Sequence, residues 1–258
     1  MWNSIDLFSH KLGLTSIIIK LGIRAPLQQL LKVNDSALLT LLQLTSPALP
    51  IGAYSYSEGL ESLVEGGWIT SAEELDQWLR ESLATGAITI EAAILLRAHR
   101  AWMAQDLERL TYWNDWLSAN RETMELQNQN WQMGRSLLKL LQDLYDRENW
   151  AEIQSAIGAE CNLAIAFAIA AGLGSTGERT AVLGYLHSWA NNLVSAGVKL
   201  IPLGQTAGQR LVLNLTEPIV ATCDRVLILP DDQLFSCSWG LSLASMAHET
   251  QYSRLFRS

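Results

Sequence analysis

From Ala72 onward the apolar positions Leu75, Trp78, Leu79, Leu83, Ala87, Ile90, Ala93 and Ile94 recur at steps of three and four, the spacing of one helix face. Ser71, followed three residues later by Glu74, marks the start of that helix, because such a pair satisfies two free backbone N–H groups of the first turn. A second long helix is predicted over about 121–145, where Leu126, Met133 and Leu140 repeat every seven residues beside Leu137 and Leu144. The stretch 153–172 is Ala-rich and apolar on most sides, which predicts a central, fully buried helix. Another helix is predicted over 179–199, with Val182, Leu186, Trp189, Leu193 and Val194 inward.

Breakers are few. Pro47 and Pro50 flank a short loop, residues 172–177 form another, and Pro202, Pro218 and Pro230 divide the last third into short helices. No stretch alternates with the period of two that a strand requires, and no repeat or low-complexity linker interrupts the pattern. The fold class is therefore all-α, a single-domain bundle of about ten helices. The first 33 residues carry weaker periodicity and read as a separate, loosely attached arm.

Composition sharpens this picture. Of 258 residues, 49% are hydrophobic and only 17% charged, which excludes a disordered chain and leaves a surface sparse in charge. Lys and Arg number 18 against 26 Asp and Glu, a net charge of −8, so the basic face of a nucleic-acid binder is not expected. Ten Trp outnumber six Tyr and four Phe, a bias toward protein interfaces, where an indole buries a large rigid area and keeps an N–H for a partner. Cys161, Cys223 and Cys237 are odd in number and widely spaced, which suits a reducing compartment. Asp6 and Lys20 interrupt any signal-peptide pattern, and the longest apolar stretch, 163–173, is short of the roughly 20 residues of a membrane span. A soluble, cytoplasmic chain with no membrane partner is expected.

The search for chemistry returns few candidates. Gly172, Gly174 and Gly177 match the G-x-G-x-x-G string of dinucleotide sites, but a predicted buried helix precedes them where a strand is required, so a helix–helix turn is favoured. Gly204, Gln205, Gly208 and Gln209 form a Gly-rich stretch without the Lys-Ser/Thr of a phosphate-binding loop. Ser136 and Lys139 spell S-x-x-K in mid-helix with no companion motif. His10, His99, His187 and His248 are scattered, and Tyr252 stands where a helical zinc site would place a second histidine after His248. No catalytic residue and no metal ligand set is assigned.

Two segments ask for more than a structural explanation. Residues 41–61, LLQLTSPALPIGAYSYSEGLE, join Pro47, Pro50 and Gly52 to Tyr54, Ser55, Tyr56 and Ser57, a rigid polar-aromatic loop of the kind that makes contact surfaces. Residues 246–258, MAHETQYSRLFRS, pack His248, Glu249, Arg254 and Arg257 among Tyr252, Leu255 and Phe256. Such an amphipathic end is expected to be a helix that orders when another protein docks, with a plain capping helix as the competing reading.

At these residues, and again at SAGVKLIPLGQTAGQRLVL over 195–213, the sequence resembles the urease accessory protein family UreF. The resemblance spans roughly residues 37–258 and leaves 1–36 outside it as an amino-terminal arm. It implies a non-enzymatic nickel-insertion chaperone: an all-α homodimer that binds UreD (UreH in some organisms) and recruits the GTPase UreG. The assembly then delivers Ni²⁺ to the urease apoprotein and gates or couples GTP hydrolysis. Nickel and GTP are handled by the complex and by UreG, with no cofactor held stably by this chain. Carried over from the motifs, the partner-binding candidates are Tyr54, Tyr56, Glu61, Lys199, Arg210, His248, Glu249, Tyr252 and Arg254. Pro47, Pro50, Gly52, Gly204, Gln205, Gly208 and Gln209 are expected to shape loops. Glu61 is expected at a helix start, pairing with Lys199 or Arg254, and an ordinary solvated charge is the competing reading for Glu61 and Lys199. Ala207 departs from the family pattern, which tends to carry a polar residue, often Asp, at that place. The reading from another class is a stand-alone all-α small-molecule binder or hydrolase using the Tyr/Ser loop.

Overall fold

The computed structural model describes residues 34–236 and 238–258. The amino-terminal arm over 1–36 lies outside the described residues except for its last three, and so do His10 and Cys237. Asn34 caps α1 (Asp35–Leu44), its side-chain oxygen accepting from the backbone N–H groups of Ser36 and Ala37 at 3.1 and 3.3 Å. The Pro47–Pro50 loop follows, then one 3-10 turn at Ala53–Ser55 and the short α2 (Leu60–Glu65).

The single helix expected from Ala72 past Ile94 is in fact two, α3 (Ala72–Thr85) and α4 (Ala87–Met103). Gly86 is extended between them. The break is held open because the Leu83 carbonyl, near the end of α3, accepts from three side chains: Thr89 at 2.9 Å, Thr222 at 2.7 Å and Arg225 at 2.8 Å. These tertiary donors replace the next turn of helix. At the other end Ser71 caps α3 by accepting from the Glu74 N–H at 3.2 Å, while the Glu74 carboxylate reaches back to the N–H of Thr70 at 2.7 Å, one residue further than a standard capping box.

Next come α5 (Leu107–Ala119), α6 (Met124–Leu144) and α7 (Trp150–Ile157). The buried helix expected over 153–172 also divides. α7 ends at Gly158, whose φ of 79° lies in the left-handed region, and the central helix α8 starts only at Leu163 and runs to Leu173. Its residues 164–171 are all buried, mostly alanines, and it packs against α4 and α6. Small side chains let the three axes approach. At Gly134 of α6 even a methyl group is excluded, since a Cβ there would sit 2.0 Å from the Cys161 carbonyl oxygen.

The glycines of 172–177 form the expected turn into α9 (Glu178–Leu200). α10 (Gln205–Asn214) and α11 (Thr216–Ile228) follow, then a 3-10 turn at Asp231–Gln233 and α12 (Trp239–Glu249). The second Gly-rich stretch is not a loop. Gly204 caps α10, and Gln205, Gly208 and Gln209 lie within it, where Gly208 faces Val198 of α9 so closely that a Cβ would meet its side chain at 2.7 Å. Ala207 occupies the first turn of that helix. Every regular element among the described residues is helical, and none of these helices is long and apolar enough to cross a membrane.

Candidate functional site

The helix expected to continue to residue 258 stops at Glu249. Residues 250–258 instead turn back as an irregular tail across the start of α2. Gly59 makes room for this arrangement. Its φ is 76°, and a Cβ would lie 2.9 Å from the Ser245 nitrogen, so α12 approaches the α2 start backbone to backbone. The Ser62 hydroxyl donates to the Ala244 carbonyl at 2.6 Å, and the Thr123 and Ser245 hydroxyls are 2.7 Å apart, which pins α12 between α2 and α6.

His248 is buried at this junction. Its Nδ1 lies 2.9 Å from the Glu125 carboxylate and its Nε2 lies 3.2 Å from that of Glu61. Both nitrogens face acceptors, and both donate only when the ring is an imidazolium. Glu61, in the first turn of α2, holds the tail as well: its Oε1 accepts from the N–H of Leu255 at 2.6 Å and its Oε2 from that of Phe256 at 2.8 Å. Hydrogen bonds to an ionised acceptor are about twice as strong as neutral ones, so one carboxylate ties α2, α12 and the tail together. Phe256 is buried, with the Lys199 ammonium 5.4 Å from its ring centroid. Ser57 donates from both its N–H (2.5 Å) and its hydroxyl (2.6 Å) to the Ser258 carbonyl, and the Arg257 N–H donates to the Ser55 carbonyl at 2.8 Å.

Several of the residues singled out from the sequence therefore converge. Glu61 and Lys199 hold the tail and His248 backs Glu61, although the partners of Glu61 are His248 and the tail backbone, and neither Lys199 nor Arg254. Arg254 donates to the carbonyls of Glu249 (2.6 Å) and Gln251 (3.1 Å) and fixes the bend after α12. Tyr54 is 67% exposed and lines a recess of about 490 Å³ with Pro47, Pro50, Gly52 and Arg257. Tyr252 and Glu249 are exposed. Tyr56 is buried, its carbonyl accepting from Asn192, and Arg210 lies on the exposed side of α10, outside this cluster.

Sequence reasoning missed Glu125 and a buried polar network beside it. Arg121 and Glu91 pair at 2.6 Å, and the other Glu91 oxygen accepts from the Tyr185 hydroxyl at 2.7 Å. Glu58 accepts from the Trp189 indole at 2.9 Å and from Gln129 at 3.3 Å. Gln129 also receives the Ser258 hydroxyl, so it bridges the tail to Glu58. The signal for Glu91 was present: it is a lone acid in the apolar run AITIEAAILL. Burial, with the Glu91 charge nearby, pushes the Glu58 carboxyl up from 4.5 to about 7. The folded protein therefore binds a proton that the unfolded chain has released, and the associated stability is lost as pH rises toward 7. Stability is expected to decline between about pH 5 and about pH 8 in the wild type and to decline less in Glu58→Gln, which cannot titrate, as read by urea midpoints across that range.

The family model UreF matches residues 69–216. Curated relatives described as "Urease accessory protein UreF" include one from Nostoc sp., 56% identical over 226 residues, covering 88% of this chain and 98% of the relative. One from Synechocystis sp. is 52% identical over 236 residues, covering 88% of this chain and all of the relative. One from Pseudoalteromonas translucida is 43% identical over 225 residues, covering 87% and 96%. With most of its length matched at these identities, the chain belongs to the UreF family of urease accessory proteins.

Proposed function

We propose that this chain serves urease maturation as a non-enzymatic scaffold whose α12 and tail dock the accessory protein UreD. The carrying observation is an outward apolar face that the fold does not use. Trp239, Leu243 and Met246 are exposed along one side of α12, and Tyr252 and Leu255 extend the patch along the tail. Their neighbours His248 and Phe256 are buried, so the segment is anchored inward and presents a prearranged apolar face outward. A preorganised surface loses less conformational entropy on binding than one that must first fold.

In this reading the chain acts as a homodimer, the docked complex recruits UreG, and nickel and GTP pass as cargo and partner ligand toward the urease apoprotein. Of the exposed arginines within the family-like segments, Arg254 is committed to main-chain carbonyls, which leaves Arg210 and Arg257 for a role in gating GTP hydrolysis. The test is binding of the full-length chain to its cognate UreD by light scattering after size exclusion. Tyr252→Ala combined with Leu255→Ala is expected to weaken binding by about tenfold or more, about 1.4 kcal/mol, with an unchanged melting temperature. Full binding by a folded double variant would reject the docking face.

A further inference from the structure

Glu58 holds a backbone conformation that a side chain seldom allows. Its φ of 53° lies in the left-handed region, and Gly59 follows there at 76°. The Glu58 carboxyl is thereby set between α6 and α9, where Oε1 accepts from the Gln129 amide at 3.3 Å and Oε2 from the Trp189 indole at 2.9 Å. Gln129 is buried, and its carbonyl receives the Ser258 hydroxyl of the tail. Ser57, next to Glu58 in the chain, donates its N–H and its hydroxyl to the Ser258 carbonyl. Two routes therefore tie Glu58 to the tail, one through Gln129 and one through its own neighbour.

Both Glu58 oxygens face donors, an arrangement that suits the carboxylate. A proton on Glu58 needs an acceptor instead. The Trp189 indole can only donate, whereas the Gln129 amide carries an oxygen beside its nitrogen and can turn over. Once turned, it accepts from the protonated Oε1 and offers its NH₂ to the Ser258 hydroxyl, which then accepts where it had donated. Every group stays paired in both protonation states while the tail is closed. Opening the tail takes Ser258 away from Gln129 and Ser57 and admits water to Glu58, and a hydrated carboxyl favours the ionised form. We propose that Glu58 and Gln129 form a proton switch on the tail: a proton taken up by Glu58 turns the Gln129 amide over and favours the closed tail, and its release favours the open one. The switch belongs to the free chain and stands apart from what the tail docks.

The groups around Glu58 fix the direction. Glu81 of α3 lies across a cavity of about 270 Å³, Glu91 of α4 and Arg121 ahead of α6 line the same cavity, and Tyr185 of α9 is bonded to Glu91. The cavity extends to the exposed Glu81 and Trp239, a path by which the proton exchanges with water. Burial and the Glu91 charge hold the closed-state carboxyl up at about 7, against the opposing pull of Arg121 and the two hydrogen bonds. With the tail away it returns toward its ordinary value of 4.5. Closing therefore takes up a proton, and this share of the hold on the tail is lost as pH rises through about 7. The Glu61–His248–Glu125 set, with Lys199 and Arg254, faces the tail from its other side and adds any response of its own.

Hydrogen exchange of the Ser57 and Arg257 amides, both bonded across the closed tail, reads the switch in the full-length protein. After correction for intrinsic exchange, the opening constant is expected to rise several-fold, at most about tenfold, between about pH 6 and about pH 8. Glu58→Gln keeps the neutral form, its amide nitrogen donating to Gln129, and is expected to hold the tail equally at both pH values. Unchanged opening in the wild type overturns the proposal. A folded Glu58→Gln that keeps the wild-type response also overturns it and assigns the response to the His248 set. Should Glu58→Gln fail to fold, the Gln129 side-chain amide resonances of the wild type decide. They are expected to shift together with the Glu58 carboxyl carbon, and amide signals that stay fixed while that carboxyl titrates overturn the switch.

Discussion

Glu61→Ala is expected to free the tail and to destabilise the protein by about 3–5 kcal/mol, because several buried hydrogen-bonding groups lose their shared acceptor at once. The single carboxylate accepts from Leu255, Phe256 and His248, so its loss strands two backbone donors and leaves His248 with Glu125 alone. Hydrogen exchange separates the two consequences. The Leu255 and Phe256 amides are expected to lose their protection even at temperatures where the core, α8 and α4, remains fully protected. Retained protection at 255 and 256 in a folded variant would show that Phe256 packing and the Ser57–Ser258 contacts hold the tail unaided. Glu61→Gln, which keeps one acceptor oxygen and the shape, is expected to fall between the two.

A loss of similar size is expected at the buried Arg121–Glu91 pair. Arg121→Ala would leave Glu91 inside α4, among buried alanines and isoleucines, without its cation, at a cost of about 3–5 kcal/mol. The Arg121 charge is what holds the Glu91 carboxyl below the usual carboxylate range against its burial. Because a lone buried charge is worse than none, combining Arg121→Met with Glu91→Gln is expected to be more stable than Arg121→Ala alone. Chemical denaturation of the two variants measures this directly, and equal destabilisation would mean that Tyr185 and Asn130 suffice to hold the Glu91 charge.

The helical class and the central position of α8 were legible in the sequence because an apolar run without a polar face has nowhere to go but the interior. The breaks at Gly86 and at 158–162 were not, because the three-and-four periodicity continues in phase across both. At Gly86 the stop is largely tertiary: Thr222 and Arg225, more than a hundred residues away, join the nearby Thr89 in donating to the Leu83 carbonyl. The site divides in the same way. Glu61, Lys199, His248 and Arg254 were carried over from the segments that resemble the family, and the structure gathers them around the tail. Their partners did not stand out, since Glu61 chiefly holds backbone N–H groups, which every sequence contains. The tail read as a helix because its residues alternate apolar and charged groups at helical steps, yet main-chain bonds to Glu61, Ser55 and Ser57 draw it out of that conformation.

The grip of Glu61 on the main chain leaves the tail's outward side chains without a task in the fold. Residues 252 and 255 can be exchanged for others without retuning the carboxylate that holds them in place. A lineage can thus rewrite which surface the tail recognises, one substitution at a time, while every intermediate still closes the same clasp. Co-evolution with a partner would be written in those outward positions and would leave Glu61, His248 and Ser57 untouched.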